Sequence, residues 1–313
     1  MENFLFALNT VLPFLLYIAF GYGVRMSGLA DEDFMKRLNK VIFQAFFPIL
    51  MFNNLYSIPE GMTLNLRLVA VAIISVLLLQ AVLLAVVPRL VKENERRGVI
   101  IQAIFRSNFV LFGLPLTIAV FGDSAASIAA MMVTVVVSIY NTTSVFILEM
   151  FNGEGKSDIK KTLKAVAANP LLQGAIVGLI FFFLGIKLPG SLVTPIAAFS
   201  NMTSPLAIYV LGGTLQFKAI RKNLKYLVPT LICKLFFLPA IIIAIAYAFG
   251  LRGLELFLLI AVYATPVAAA SYPMAQNMGG DGELAGQFVV ISTAVSMFTL
   301  FLWIFFMKSV GLI

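Results

Sequence analysis

The sequence predicts an all-α polytopic membrane protein of ten transmembrane helices arranged as two inverted five-helix repeats. Three observations predict it. The first is composition: of 313 residues, 61% are hydrophobic and only 12% charged, with a mean hydropathy of +1.02, whereas soluble domains are about 25% charged. The second is a sorting of basic residues into alternate loops. The third is a set of prolines that recurs at a fixed offset in the second half of the chain.

Taken in order, each span is an apolar run near the ~20 residues a bilayer crossing needs. Span 1, Phe4–Val24, follows a segment whose only charge is Glu2. Without a basic n-region it reads as a retained helix, not a cleaved signal peptide. Arg25, Lys36, Arg37 and Lys40 separate it from span 2, Leu38–Tyr56. Arg67 then marks the opposite side, where span 3, Leu66–Pro88, begins. Arg89, Lys92, Arg96 and Arg97 lead into span 4, Val99–Phe121, and a short turn with Asp123 leads into span 5, Ala125–Phe151. Lys156, Lys160, Lys161 and Lys164 precede span 6, Asn169–Gly185, and Lys187 precedes span 7, Leu192–Leu215. Lys218, Arg221, Lys222 and Lys225 precede span 8, Tyr226–Phe249. Arg252 precedes span 9, Leu254–Met278, and Lys308 follows span 10, Leu284–Met307.

Sixteen basic residues thus fall in four loops on one side and four on the other. The positive-inside bias makes the basic loops cytoplasmic and both termini external, as in a multi-pass protein of the cell (inner) membrane. The same bias accounts for the net charge of +8, so no nucleic-acid partner is expected; the lipid bilayer is the partner. Asp123 and Asp281 are assigned to outer loops.

Pro13, Pro48 and Pro115 recur as Pro170, Pro205 and Pro273, at offsets of 157, 157 and 158 residues. Gly21 pairs with Gly178 and Gly28 with Gly185 at the same offset. The offset divides the spans five and five. An odd number per half inverts the second half, the pattern of many secondary transporters. The chain therefore divides into a first repeat, 1–152, a short cytoplasmic linker, 153–165, and a second repeat, 166–313.

Spans 4 and 9 are interrupted at equivalent places. Span 4 contains Arg106-Ser107-Asn108, then Gly113 and Pro115; span 9 contains Thr265-Pro266, then Ser271 and Pro273. Proline removes a backbone donor and frees a carbonyl, and in lipid such groups need protein or a water-lined cavity. Paired interruptions in corresponding spans point to a binding site. Ser107, Asn108, Thr265 and Ser271 are its candidate substrate contacts, with Gly113, Pro115, Pro266 and Pro273 as hinges. Pro48 and Pro205 are equivalent hinges in spans 2 and 7. Asn53, near the outer end of span 2, is a further candidate contact, and Asn54 reads as an interfacial cap. No Asp or Glu lies at the centre of a span. Arg106 and Lys234 are the only charges there, each nine residues, or about 13 Å of helix, from its basic loop. They compensate an anion's charge, orient the broken helices, or reach back to the surface.

Other chemistries are excluded. The chain has no His and one cysteine, Cys233, so His-based catalysis, a Cys-rich metal site and an intrachain disulfide are ruled out. No nucleotide-binding loop is present. Gly279-Gly280-Asp281-Gly282 resembles an aspartyl protease motif but lacks an aspartate within a span. Asn141-Thr142-Thr143 and Asn201-Met202-Thr203 fit glycosylation sequons but lie inside spans. No enzyme activity, metal or cofactor is expected.

The chain resembles the auxin efflux carrier family in its short prokaryotic form, over essentially its whole length. The resemblance is carried by Pro48-Ile49-Leu50-Met51-Phe52, Arg106-Ser107-Asn108 with Gly113-Leu114-Pro115, and Asn169-Pro170. Pro205 with Gly212, Lys234 with Pro239, and Ser292-Thr293 with Ser296 add to it. It implies that helices 4 and 9 break and cross near mid-membrane, with a small organic anion (an auxin-like carboxylate or a dicarboxylate) bound beside the crossover. It implies a scaffold of helices 1, 2, 6 and 7, often dimeric, and a mobile bundle of helices 3–5 and 8–10. Asn108 matches the asparagine that contacts the substrate carboxylate in plant relatives. Span 9 departs from the plant pattern in being Pro- and Ala-rich, and the long central loop of plant members is absent. The expected function is alternating-access transport of the anion, in the export direction. The alternative is a sodium-coupled organic-anion symporter of the bile-acid type.

Overall fold

Helix follows helix with almost no other structure. The computed structural model describes residues 2–57, 66–152 and 159–313; Lys156 and the first part of the expected linker lie outside the described residues. The helices are α1 (Glu2–Met26), α2 (Glu32–Val41), α3 (Phe47–Tyr56), α4 (Leu66–Leu90), α5 (Asn94–Phe105), α6 (Leu114–Phe121), α7 (Ala126–Met150) and α8 (Ile159–Ala168). They continue as α9 (Pro170–Phe183), α10 (Gly190–Thr214), α11 (Phe217–Ile232), α12 (Leu238–Ala248), α13 (Gly253–Ala264), α14 (Ser271–Asn277) and α15 (Gly282–Ser309). Among the described residues four stretches are long and apolar enough to cross a membrane unaided: Leu66–Leu90, Ile128–Met150, Ile220–Ala248 and Gly282–Ser309.

Proline sets the interruptions. Three segments with widened, π-type turns occur at Ile42–Phe46, Phe109–Gly113 and Cys233–Phe237. Each is followed, at the second residue of the next helix, by a proline: Pro48, Pro115 and Pro239. A proline cannot donate to the preceding turn and its ring crowds that turn's carbonyl. Inserting one extra residue into the turn relieves the clash without breaking the helix. Pro205, expected as a hinge, lies in the middle of the unbroken α10.

Glycine sets the closest packing. A Cβ on Gly174 would strike the Pro48 carbonyl oxygen, and one on Gly178 would lie 2.7 Å from the Phe52 carbonyl oxygen, so α9 lies directly on the backbone of α3. Gly21 meets the Tyr209 carbonyl and Gly212 the Ile18 carbonyl in the same way, joining α1 to α10. Small residues that let backbones touch are how helices associate in lipid. Gly28 and Gly185, which follow α1 and α9, both adopt positive φ, 78° and 63°.

The buried centre is made by α5 and α13, whose residues Gly98–Phe105 and Leu256–Ala264 are all buried. By contrast α4 presents Leu77, Leu78, Val82, Val86 and Leu90 outward. An apolar helix with an apolar outer face belongs in lipid.

Loop contacts sort into two ends. At one end Gln216 approaches Glu32 at 3.4 Å, Arg96 pairs with Asp281 at 3.0 Å, and Tyr226 donates to the Glu93 carboxylate at 2.8 Å. Tyr226 holds the Glu93 carboxyl below the usual range by donating to its charged form. At the other end Arg67 bonds the Phe249 carbonyl at 2.7 Å, Tyr56 accepts from the Leu188 amide at 2.9 Å, and Gly253 donates to the Leu312 carbonyl at 3.0 Å. This corrects one expectation. The Asp281 turn is not at the end that holds Arg67 and Arg252; it sits with the basic loops, because the turn between spans 9 and 10 has the same parity as the loops before spans 2 and 4.

Candidate functional site

The site forms where two helices stop and meet. α5 ends at Arg106, whose backbone is extended (φ −89°, ψ 116°), and α13 ends at Thr265, also extended (φ −71°, ψ 155°). Ser107 and Val267 then pair as an isolated antiparallel bridge. The Asn108 amide donates to the Pro266 carbonyl at 2.7 Å, and the Ala268 amide to the Arg106 carbonyl at 3.4 Å. Backbone groups freed by the breaks are thus satisfied by each other, as an apolar surrounding requires. The Val267 amide is satisfied by Ser292 Oγ, at 3.0 Å.

Both buried cations converge on this point. Lys234, on the π-type segment Cys233–Phe237, is fully buried, and its Nζ donates to Ser107 Oγ. The Trp303 indole holds that segment by donating to the Leu235 carbonyl at 2.8 Å. The Arg106 guanidinium, also buried, donates to Asn141 Oδ1 and to the Met274 sulfur. Neither cation reaches back to the surface, and neither has a carboxylate partner among the described residues.

A cavity of about 80 Å³ lies beside the crossing. Arg106, Ser107, Asn108, Asn141, Tyr140, Asn54 and Ser204 give its polar wall, and Leu50, Met51, Leu111, Val137 and Ala268–Ala270 are among its apolar lining. No acid lines it. Asn108 is 93% buried, and its Nδ2 has no hydrogen-bond partner. Such an orphaned donor is uncommon in a folded protein, and on a cavity wall it is a contact available to a ligand.

The predicted residues divide accordingly. Ser107, Asn108 and Arg106 come together on the wall, with Lys234 directly behind Ser107. Thr265 is buried and back-bonded to the Ala261 carbonyl at 2.9 Å. Ser271 is buried with an unpaired hydroxyl, and neither it nor Thr265 is on the wall. Asn53 donates instead to Ser200 Oγ at 3.2 Å, while its neighbour Asn54 lines the cavity. Gly113 packs against the Phe109 ring, Pro115 opens α6, Pro266 lends its carbonyl to Asn108, and Pro273 lies within α14. Sequence reasoning missed Asn141 and Tyr140. An amide at the centre of an apolar span was the available signal for Asn141.

Broken helices paired at a buried crossing, beside a small, partly polar cavity in an apolar bundle, fit a membrane transport protein. The comparisons make the class specific. Residues 6–304 match the family model described as membrane transport protein, and the chain belongs to this family, that of the auxin efflux carriers. It is similar to an uncharacterized transporter of Methanothermobacter thermautotrophicus, 24% identical over 309 residues, covering 96% of this chain and 98% of the relative. It is also similar to an uncharacterized transporter of Methanocaldococcus jannaschii, 22% identical over 304 residues, covering 95% and 97%. The family is one of membrane transporters, generally non-enzymatic.

Proposed function

We propose that the protein is a secondary transporter that exports a small organic anion by alternating access at the crossover. The observation that carries this reading is the unpartnered Asn108 Nδ2, set on a cavity wall beside two buried cations and no acid. An amide N–H donates well to a carboxylate, and the cations offset the desolvation of a buried anion. Ten crossings in two inverted repeats fit the two-ended sorting of loop contacts. They also fit the matched pairs α1–α10 and α9–α3, which an exchange of the halves would interconvert. On this reading helices 1, 2, 6 and 7 are the scaffold, through which a homodimer would form, and the protein lies in the cell membrane with both termini external.

Transport is then a charge-carrying uniport. No buried carboxylate lines the cavity to bring a proton with the substrate, so each anion moves net charge. Its free energy changes by about 2.3 kcal/mol per charge per 100 mV, and an inside-negative potential drives it outward. Screening mono- and dicarboxylates by thermal shift identifies a ligand, and solid-supported-membrane electrophysiology then reads the current. Current without a sodium or proton gradient is the expected result. Transport that requires a sodium gradient would favour the bile-acid type of symporter, and electroneutral transport would end the uniport reading. For topology, a cysteine placed at Lys160 should resist an external impermeant reagent in sealed cells; labelling there would overturn the orientation.

A further inference from the structure

Arg106 is held in an unusual way for a buried guanidinium. Such groups are ordinarily paired with a carboxylate, since an isolated buried charge is costly. Here the acceptors are the amide oxygen of Asn141 and the sulfur of Met274, both neutral. One turn earlier on α5, on the same face, stands another amide, Gln102, fully buried with its Oε1 unpaired. The charge of Arg106 is therefore fixed in place but not cancelled. Asn141 is 95% buried and lines the cavity beside Arg106. Its helix, α7, is anchored on both sides of it. Tyr140 donates to the Val262 carbonyl at 2.8 Å, and Gln80 donates to Thr143 at 2.7 Å.

We propose that Asn141 is a positioning residue whose neutral oxygen holds the Arg106 guanidinium at the cavity wall while leaving its positive charge for the transported anion. The inference rests on the reading that the cavity takes an anion. It makes residue 141 the determinant of substrate charge. Aspartate has the same shape and accepts the same bond, more strongly and with both oxygens available, but it neutralises the guanidinium. The Asp form of the site therefore favours an uncharged ligand.

The test compares wild type, Asn141→Asp and Asn141→Ser in purified protein. The probes are a panel of two- to ten-carbon mono- and dicarboxylates, each alongside its neutral primary amide. Binding is read by thermal shift and calorimetry. Asn141→Asp should keep or raise the melting temperature of the ligand-free protein. It should lower carboxylate affinity at least tenfold and raise the ratio of amide to carboxylate binding. Asn141→Ser is neutral but too short to hold the guanidinium, so it should weaken carboxylate binding while keeping the wild-type preference for carboxylate over amide. It also keeps the test decisive should the Asp variant fail to fold, because a neutral Asn141→Ser form that prefers the amide to the carboxylate would overturn the charge argument. If wild type and Asn141→Asp bind the carboxylate equally, Asn141 is structural only and the inference fails while the anion reading stands. If wild type binds no carboxylate of the panel, the anion reading itself fails.

Discussion

The breaks in spans 4 and 9 are equivalent in the chain and meet in space, yet they do different work. Both helices end in extended residues, and each break supplies the other's backbone with partners. Their side chains divide the labour. The first break contributes Arg106, Ser107 and Asn108, a charge, a hydroxyl and an amide, to the cavity wall. The second break contributes Ala268, Ala269 and Ala270 to the wall, and its Thr265 hydroxyl is bonded within its own helix. One break is chemistry and the other is frame. A symmetric backbone solution therefore does not imply a symmetric site, because backbone pairing is indifferent to side chains whereas ligand contact depends on them.

Substitutions on the two breaks test this division of labour. The largest effect is expected at the chemical break. Asn108→Ala removes one hydrogen bond to a charged ligand, about 1.5–3 kcal/mol, so anion affinity in a titration should fall about tenfold or more in a folded variant. Unchanged affinity would remove Asn108 from the site. Next comes the frame. Ser292→Ala leaves the buried Val267 amide without its Oγ acceptor, a loss of about 1–3 kcal/mol that should appear as a lower midpoint in detergent thermal denaturation. An unchanged midpoint would mean that the second break does not depend on that bond. The smallest effect is expected at Thr265→Val, whose hydroxyl is internally bonded: affinity should stay within about twofold. A large loss there would return the second break to the chemical side and undo the comparison.

Much of this architecture is legible in the sequence because it follows from local rules. Apolar runs and proline positions need no tertiary knowledge, and they predicted the interruptions in spans 4 and 9. Pro48 and Pro205 mark the limit of such rules. Both sit at repeat-equivalent positions, but Pro48 follows a widened turn while α10 runs straight through Pro205. Proline chemistry permits either outcome, and packing chooses between them. The assignment of Asp281 to the outer end failed for a different reason: it went against the alternation of the spans, which sets the turn between spans 9 and 10 with the basic loops, where Asp281 pairs with Arg96.

Much of this is written in the chain alone: a helical membrane protein of a transporter family, the places where its helices yield, and two cations, Arg106 and Lys234, deep within spans that have no acid at their centres. Composition and periodicity fix these, since every polar group in lipid must be justified locally. Which amides line the cavity depends on how the helices pack. Asn53 and Asn54 are adjacent in sequence, but helix rotation turns one to Ser200 and the other to the cavity wall. Asn141 became the partner of Arg106 across 35 residues of chain. The direction of a side chain on an apolar helix depends on what its neighbours leave open, and one helix's sequence does not contain its neighbours.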